Sequence, residues 1–219
     1  MNLQQVDSII FDLDGTLWDA TDSYVASWNL ALQQFGIEKT ITRPDLESMM
    51  GWEEKAVFEK MFPHYSLDHR RQIAQLVSQN QDAYIPVHGG VLYENVREGL
   101  IDLSQKYRLL VVSNCPENTV RDFLSWSGLE NYFIDYETHG RTRQSKAENI
   151  KAVVQRNNLQ SPVYVGDTES DSKAAQLAHV PFVFVSYGFG KVENAAYSFN
   201  SFPELVKAFT TLPKAKLPN

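Results

Sequence analysis

The chain has 219 residues and a mass of 25.0 kDa, room for one large domain or a domain carrying a smaller insert, and it is 43% hydrophobic and 12% aromatic, enough for a sizeable core. Twenty Lys and Arg against 27 Asp and Glu leave a net charge of −7, which argues against a nucleic acid or an anionic membrane as main partner but leaves room for a small phosphorylated ligand. The lone cysteine, Cys115, excludes an internal disulfide framework and a cysteine-rich zinc site. No apolar run approaches the ~18 residues of a membrane span, and the first residues lack the pattern of a secretory signal, so a cytoplasmic protein is expected.

Read in order, the chain opens with the apolar run 8–11 (SIIF). Three further runs follow at 109–112 (LLVV), 163–165 (VYV) and 182–185 (FVFV), with a weaker one at 132–136 (YFIDY). None alternates with polar residues, as suits strands buried on both faces of a parallel sheet. Helical patterns at 91–107, 116–127, 146–157 and 170–178 separate them. Strand and helix in alternation predict a doubly wound, Rossmann-like α/β sheet. Between Trp18 and Tyr84 only helical signals occur, at 23–35, 45–62 and 67–80, punctuated by Gly36, Pro44 and Pro63. This stretch predicts an inserted helical subdomain, 18–83, in a core made of 1–17 and 84–219. The sheet is expected to resume near Val91, with 86–90 (PVHGG) as a hinge.

The residues with chemistry follow the strands. The first run leads into Asp12-Leu13-Asp14-Gly15-Thr16, the second into Ser113-Asn114, and the third into Gly166-Asp167-Thr168-Glu169-Ser170-Asp171. In open α/β sheets ligands bind outside the carboxyl ends of the strands, so these residues are expected in one crevice. Asp12 and Asp14, two apart, leave the same face of an extended segment. With Asp167 and Asp171 they concentrate negative charge that needs a counter-cation, and hard oxygen donors suit Mg2+. Plainer readings exist for each motif alone. DxDG also makes an Asx turn, and Thr168-x-x-Asp171 fits a helix capping box. Ser145-Lys146-Ala147-Glu148 fits another, which sets Lys146 at a helix N-terminus, where an anion is favoured. Lys146 could equally be a solvated lysine, with Arg141 and Arg143 as rival cations.

Taken together, DLDGT at 12–16, Ser113-Asn114, Lys146 and GDTESD at 166–171 resemble, in order, the four motifs of the haloacid dehalogenase superfamily. The helical insert resembles the cap of its phosphoglycolate phosphatase-like branch. The resemblance implies that Asp12 is a nucleophile that becomes an aspartyl phosphate, and that Asp14 is the general acid and base. It implies that Thr16, Ser113, Asn114 and Lys146 bind phosphate. Mg2+ would be held by Asp12, Asp14 (through its backbone carbonyl), Asp167 and Asp171. The second aspartate of the first motif separates phosphate-cleaving members from dehalogenases, which lack it. Two departures stand out: Ala147-Glu148 follows the lysine where relatives often have proline, and 87–90 (VHGG) replaces a Tyr-Pro-Gly turn. The implied activity is hydrolysis of a small phosphomonoester of the phosphoglycolate, sugar or nucleotide type. A phosphomutase of the β-phosphoglucomutase kind is the nearest alternative. A receiver-like phosphoacceptor and a silent phosphate-binding protein come after it. Tyr24, Trp28, Met50, Gly51 and Trp52 are possible crevice residues, but their apolar spacing equally fits helix core.

Overall fold

A computed structural model describes residues 5–193 and 195–211. Six strands form one parallel sheet: β1 (Ser8–Phe11), β4 (Arg108–Ser113), β5 (Phe133–Thr138), β6 (Pro162–Gly166), β7 (Phe182–Val185) and β8 (Ser198–Phe199). Their spatial order is β5-β4-β1-β6-β7-β8, so the chain turns outward to one side of β1 and then to the other. A short antiparallel ribbon, β2 (Trp18–Asp19) with β3 (Val91–Leu92), brackets the helices α1 (Thr21–Phe35), α2 (Arg43–Glu47), α3 (Glu54–Met61) and α4 (Leu67–His88). The remaining helices are α5 (Val96–Ser104), α6 (Thr119–Ser127), α7 (His139–Thr142), α8 (Lys146–Arg156), α9 (Glu169–Leu177) and α10 (Phe202–Thr211).

The apolar runs do not alternate because both faces of the sheet are covered. Ile9, Phe11, Leu109, Val111, Val163 and Val165 pack with α5, α6 and α10 on one face. Ile10, Leu110, Val112 and Tyr164 pack with Ala147, Ile150 and Val153 of α8 and Ala174 and Ala175 of α9 on the other. This is the doubly wound α/β architecture expected from the sequence.

Three elements differ from expectation. The pattern at 91–107 is not one helix: Val91 and Leu92 pair with Asp19 and Trp18, and α5 begins only after Asn95, which takes a left-handed conformation (φ 55°). The chain at Val91 therefore joins the ribbon, and the main sheet resumes at Arg108. The pattern at 45–62 breaks into α2 and α3 around the turn at Gly51 (φ 77°). The helix expected at 67–80 runs on to His88, through Pro86, where Gly89 ends it. No helix of the described residues is long and apolar enough to cross a membrane.

Candidate active site

β1 lies between β4 and β6 with all three parallel, so the residues following them meet at one sheet edge. Carboxylate oxygens of Asp12, Asp167 and Asp171 lie within 4.8 Å of one another there, all buried. Lys146, the first residue of α8, brings its Nζ to 2.6 Å from Asp171 Oδ1 and 3.0 Å from Asp12 Oδ1. The rival cations are committed elsewhere: Arg141 pairs with Glu137 and Arg143 with Glu54. The Ser145 hydroxyl accepts the expected capping hydrogen bond from Glu148 N, which sets Lys146 at the start of the helix.

Charge in this cluster does not balance. Three carboxylates face one ammonium, and burial makes the deficit costly. Burial, opposed by Lys146, leaves the Asp12 carboxyl at a pKa of about 6. Asp167 is pushed well above the ordinary carboxylate range by burial and by Asp171 and Asp12. For Lys146, burial works against the charge, but Asp12 and Asp171 outweigh it and raise the pKa. Asp167 Oδ1 is buried without a hydrogen-bond partner, and Asp12 Oδ1 has only Lys146 beside it. Hard oxygen donors, a deficit of two charges and the orphaned Asp167 oxygen fit a divalent cation.

Asp171 serves three residues, one of them Tyr164, whose hydroxyl donates to Oδ1 at 3.4 Å. Oδ1 holds Lys146, while Oδ2 accepts from Thr168 N and Oγ1 (3.0 and 2.6 Å). The capping box therefore forms and is part of the charged cluster at once. Glycine at 15 has a steric reason: its φ is +82°, and a Cβ there would stand 2.2 Å from Asp167 Oδ2. Gly188 likewise leaves space beside Asp167, whose Oδ2 accepts from Phe189 N at 2.7 Å. Sequence reading missed this 187–190 loop; the paired glycines of Gly188-Phe189-Gly190 were its signal.

Asp14 behaves differently from Asp12. The strand ends at Phe11, so the extended geometry that would give both carboxylates one face does not persist. The Asp14 carboxylate is not among the clustered ones. Its Oδ1 accepts from Trp18 Nε1 (3.0 Å) and from the Tyr24 hydroxyl (2.9 Å). Burial and the neighbouring Asp12 charge raise its pKa to about 7, against the pull of these two donors. Trp18 is fully buried against Phe123 and Trp126, so it both packs against α6 and holds Asp14. Tyr24, one of the residues whose spacing equally fitted helix core, belongs to the site. Its phenol is raised well above the usual value by burial and by Asp14, and stays a donor.

Asp12, Asp14, Ser113 and Asn114 line a cavity closed on its other side by residues of α1 to α4. Asn114 Nδ2 donates to the Gly51 carbonyl (2.9 Å), tying the core loop to the turn between α2 and α3. Thr16, Lys146 and Asp167 do not line this cavity. The Thr16 hydroxyl is buried without a partner, and its carbonyl accepts from the Tyr187 hydroxyl (2.7 Å). Cys115 lines the cavity, but burial raises its thiol and keeps it protonated. His139 also lines it, with Nδ1 donating to the Gln144 carbonyl (2.9 Å).

Residues 9–185 match the sequence profile of a family described as haloacid dehalogenase-like hydrolase. The chain belongs to that family. It is therefore an enzyme of the hydrolase class, and its similarities fall in the phosphoglycolate phosphatase-like branch. A phosphoglycolate phosphatase of Colwellia psychrerythraea is 25% identical over 94% of this chain and 98% of its own. A pyrophosphatase of Listeria welshimeri is 22% identical over 88% of each chain. Among solved structures, a haloacid dehalogenase-like hydrolase from Streptococcus pneumoniae shares the fold with a TM-score of 0.81, at 20% identity over 93% of this chain and 98% of that one.

Proposed function

We propose that this hydrolase is a cytoplasmic, Mg2+-dependent phosphatase that cleaves a small phosphorylated metabolite through a phosphorylated Asp12. The observation that carries the reading is the division between two carboxylates two residues apart. Asp12 lies in the charged cluster beside Lys146, while Asp14 faces the cavity with Oδ1 held by Trp18 and Tyr24. Two carboxyl groups whose surroundings differ in this way suit a nucleophile and an acid–base partner.

In the first half-reaction an Asp12 oxygen attacks phosphorus. The bond from phosphorus to the ester oxygen breaks, and Asp14 gives its proton to the departing alkoxide. In the second, the Asp14 carboxylate takes a proton from water, whose oxygen attacks the phosphorus of the aspartyl phosphate. The bond to Asp12 breaks, inorganic phosphate leaves, and both carboxyl groups return to their starting states. Oδ2 of Asp14 is the oxygen for these transfers, because both donors fall on Oδ1.

Asp12 and Asp167, with the Asp14 backbone carbonyl, would hold Mg2+, which supplies charge neutralisation for the carboxylates and the phosphate. Asp171 has both oxygens engaged and positions Lys146. Ser113, the Asn114 backbone, Thr16 and Lys146 hold the non-bridging oxygens. Residues 18–83 act as a cap over the core. The names of the Colwellia and Listeria relatives, a phosphoglycolate phosphatase and a pyrophosphatase, support cleavage of a bond to phosphorus. The test is phosphate release from a panel of phosphorylated metabolites, with Mg2+ and with EDTA, in the parent and in Asp12→Asn. Release that needs both Mg2+ and Asp12 supports the reading, and undiminished release by Asp12→Asn refutes it.

A further inference from the structure

We propose that the cavity selects a phosphoester whose leaving alcohol is uncharged, mainly apolar and no larger than a single ring, with one hydroxyl that meets the amide of Gln81. The inference rests on the phosphatase reading and names the substrate class for that same site.

The wall opposite Asp12 and Asp14 is made by Trp28, Leu46, Met49, Val57, Phe58 and Val77. Among the described residues no Lys or Arg lines the cavity, and the carboxylates that do, Asp12, Asp14 and Glu54, are acidic. Arg143, which pairs with Glu54 at 3.0 Å, is exposed and lines a neighbouring groove instead. His139 has Nδ1 committed to the Gln144 carbonyl.

This lining decides between kinds of leaving group. Phosphoglycolate carries a carboxylate beyond its ester, and pyrophosphate carries a second phosphate. Either charge would be stripped of water against an apolar wall, with carboxylates near it and no lysine or arginine to meet it. An uncharged apolar alcohol meets no such penalty and gains by leaving water. Size sets the upper limit and does not separate these leaving groups: the cavity holds about 130 Å³, and a cavity of about 150 Å³ is enough for benzene.

On the helical wall Gln81 supplies an uncommitted polar group, facing a cavity that Asn114, whose Oδ1 is likewise unpartnered, lines from the core side. Gln81 is 6% exposed, and its Oε1 is buried without a partner. Ala74, Val77, Ser78 and Gln81 fall at helical spacing on α4 and line the cavity together. A buried amide oxygen left unpaired is unfavourable, and a substrate hydroxyl can donate to it or accept from the amide's NH2.

The experiment compares cyclohexyl phosphate and the hydroxycyclohexyl phosphates with 2-phosphoglycolate and pyrophosphate. These cyclohexanols leave no more readily than glycolate, so intrinsic reactivity does not favour them. Two readouts are taken: kcat/KM for the parent, and Kd for Asp12→Asn by calorimetry with Mg2+ present. The best ring ester is expected to exceed both anionic compounds by about 100-fold or more in each readout. Gln81→Leu is expected to cut the preference for the best hydroxylated ester over cyclohexyl phosphate roughly tenfold, in KM more than in kcat. Met49→Arg, which adds a cation to the wall, is expected to improve phosphoglycolate relative to the ring esters. Turnover of phosphoglycolate or pyrophosphate as efficient as that of the ring esters overturns this assignment and leaves the phosphatase reading intact. The expected order of binding, with no phosphate released from any compound, overturns the phosphatase reading instead. A preference for the hydroxyl that survives Gln81→Leu overturns the role of Gln81.

Discussion

Tyr24→Phe removes one hydroxyl and keeps a ring that is only 6% exposed, so its effect isolates a single hydrogen bond. That bond runs 2.9 Å to Asp14 Oδ1, the oxygen that also accepts from Trp18 Nε1 at 3.0 Å. In the proposed first half-reaction Asp14 turns from acid to carboxylate as the alkoxide departs, so the two donors strengthen as negative charge develops. A hydrogen bond to a charged group is worth about 1.5–3 kcal/mol, and each 1.36 kcal/mol is a factor of ten in rate. If most of this is felt in the transition state, kcat falls roughly 10- to 100-fold. KM changes little, because the hydroxyl is spent on Asp14 and not on substrate. Trp18→Phe acts on the same oxygen, so the losses of the two single variants do not simply multiply in the double variant. Steady-state phosphate release measures both effects, and a thermal melt reports whether the fold is intact. An unchanged kcat in a folded Tyr24→Phe protein refutes the positioning role, and strictly multiplicative losses refute the shared oxygen.

Three other perturbations test separate parts of the molecule. Gly15→Ala places a Cβ 2.2 Å from Asp167 Oδ2 at a φ of +82°, so a cost on the order of 1–3 kcal/mol in stability and near-complete loss of activity are expected from urea titration and phosphate release. Lys146→Met removes the ammonium in contact with Asp12 and Asp171, and breaking buried pairs costs about 3–5 kcal/mol. Its melting temperature falls, and Mg2+ restores a larger share of it than Mg2+ adds to the parent, an increment that EDTA abolishes. Arg156→Gln tests the edge of the sheet, where Asp135 and Glu137 are held below their ordinary values against burial by hydrogen bonds from Arg156 and, for Glu137, from Arg141. Lowered carboxylate pKa values stabilise the fold above the ordinary carboxylate range, and that stability disappears as pH falls through the lowered values. Arg156 is partly exposed, so the loss at pH 7 is about 1–2 kcal/mol, and the gap in urea midpoint between variant and parent narrows towards pH 3.

What the sequence revealed and what it hid have physical causes. Runs such as LLVV and VYV are buried on both faces, as a covered parallel sheet requires, so four strands were legible, and the partly exposed edge strand β5 gave only a weaker run. The two-residue strands β2, β3 and β8 left no periodic signal. Asp12, Lys146 and Asp167 were legible because their order along the chain and their places after strands carry the information. The partners of Asp14 were not. Tyr24 sits at a spacing that serves helix packing equally well, and only the fold of α1 against the first loop aims its hydroxyl at Asp14. One of the plainer readings was half right. Thr168 and Asp171 do form a capping box, and the same aspartate holds Lys146, so a structural motif and a charged site share one residue.

The two halves of the cavity answer to different physics. On the core side, β1, β4 and β6 deliver their following loops to one edge, and the N-termini of α8 and α9 bring Lys146 and the Thr168 cap to the same place. Charge dominates there, and burial leaves little freedom: Asp12, Asp167, Asp171 and Lys146 constrain one another, so changing one unbalances the rest. On the helical side, side chains such as Trp28, Met49, Phe58 and Val77 contribute shape and apolar surface. Volume-conserving exchanges among such residues are tolerated far better than exchanges among buried charges. Under the proposed function, the helical wall can therefore change which alcohol fits without disturbing the charged cluster. The Asp14–Tyr24 hydrogen bond crosses this division, because α1 supplies the donor and the core loop the acceptor. Through it, the seating of α1 over the core bears directly on Asp14, the proposed acid–base group.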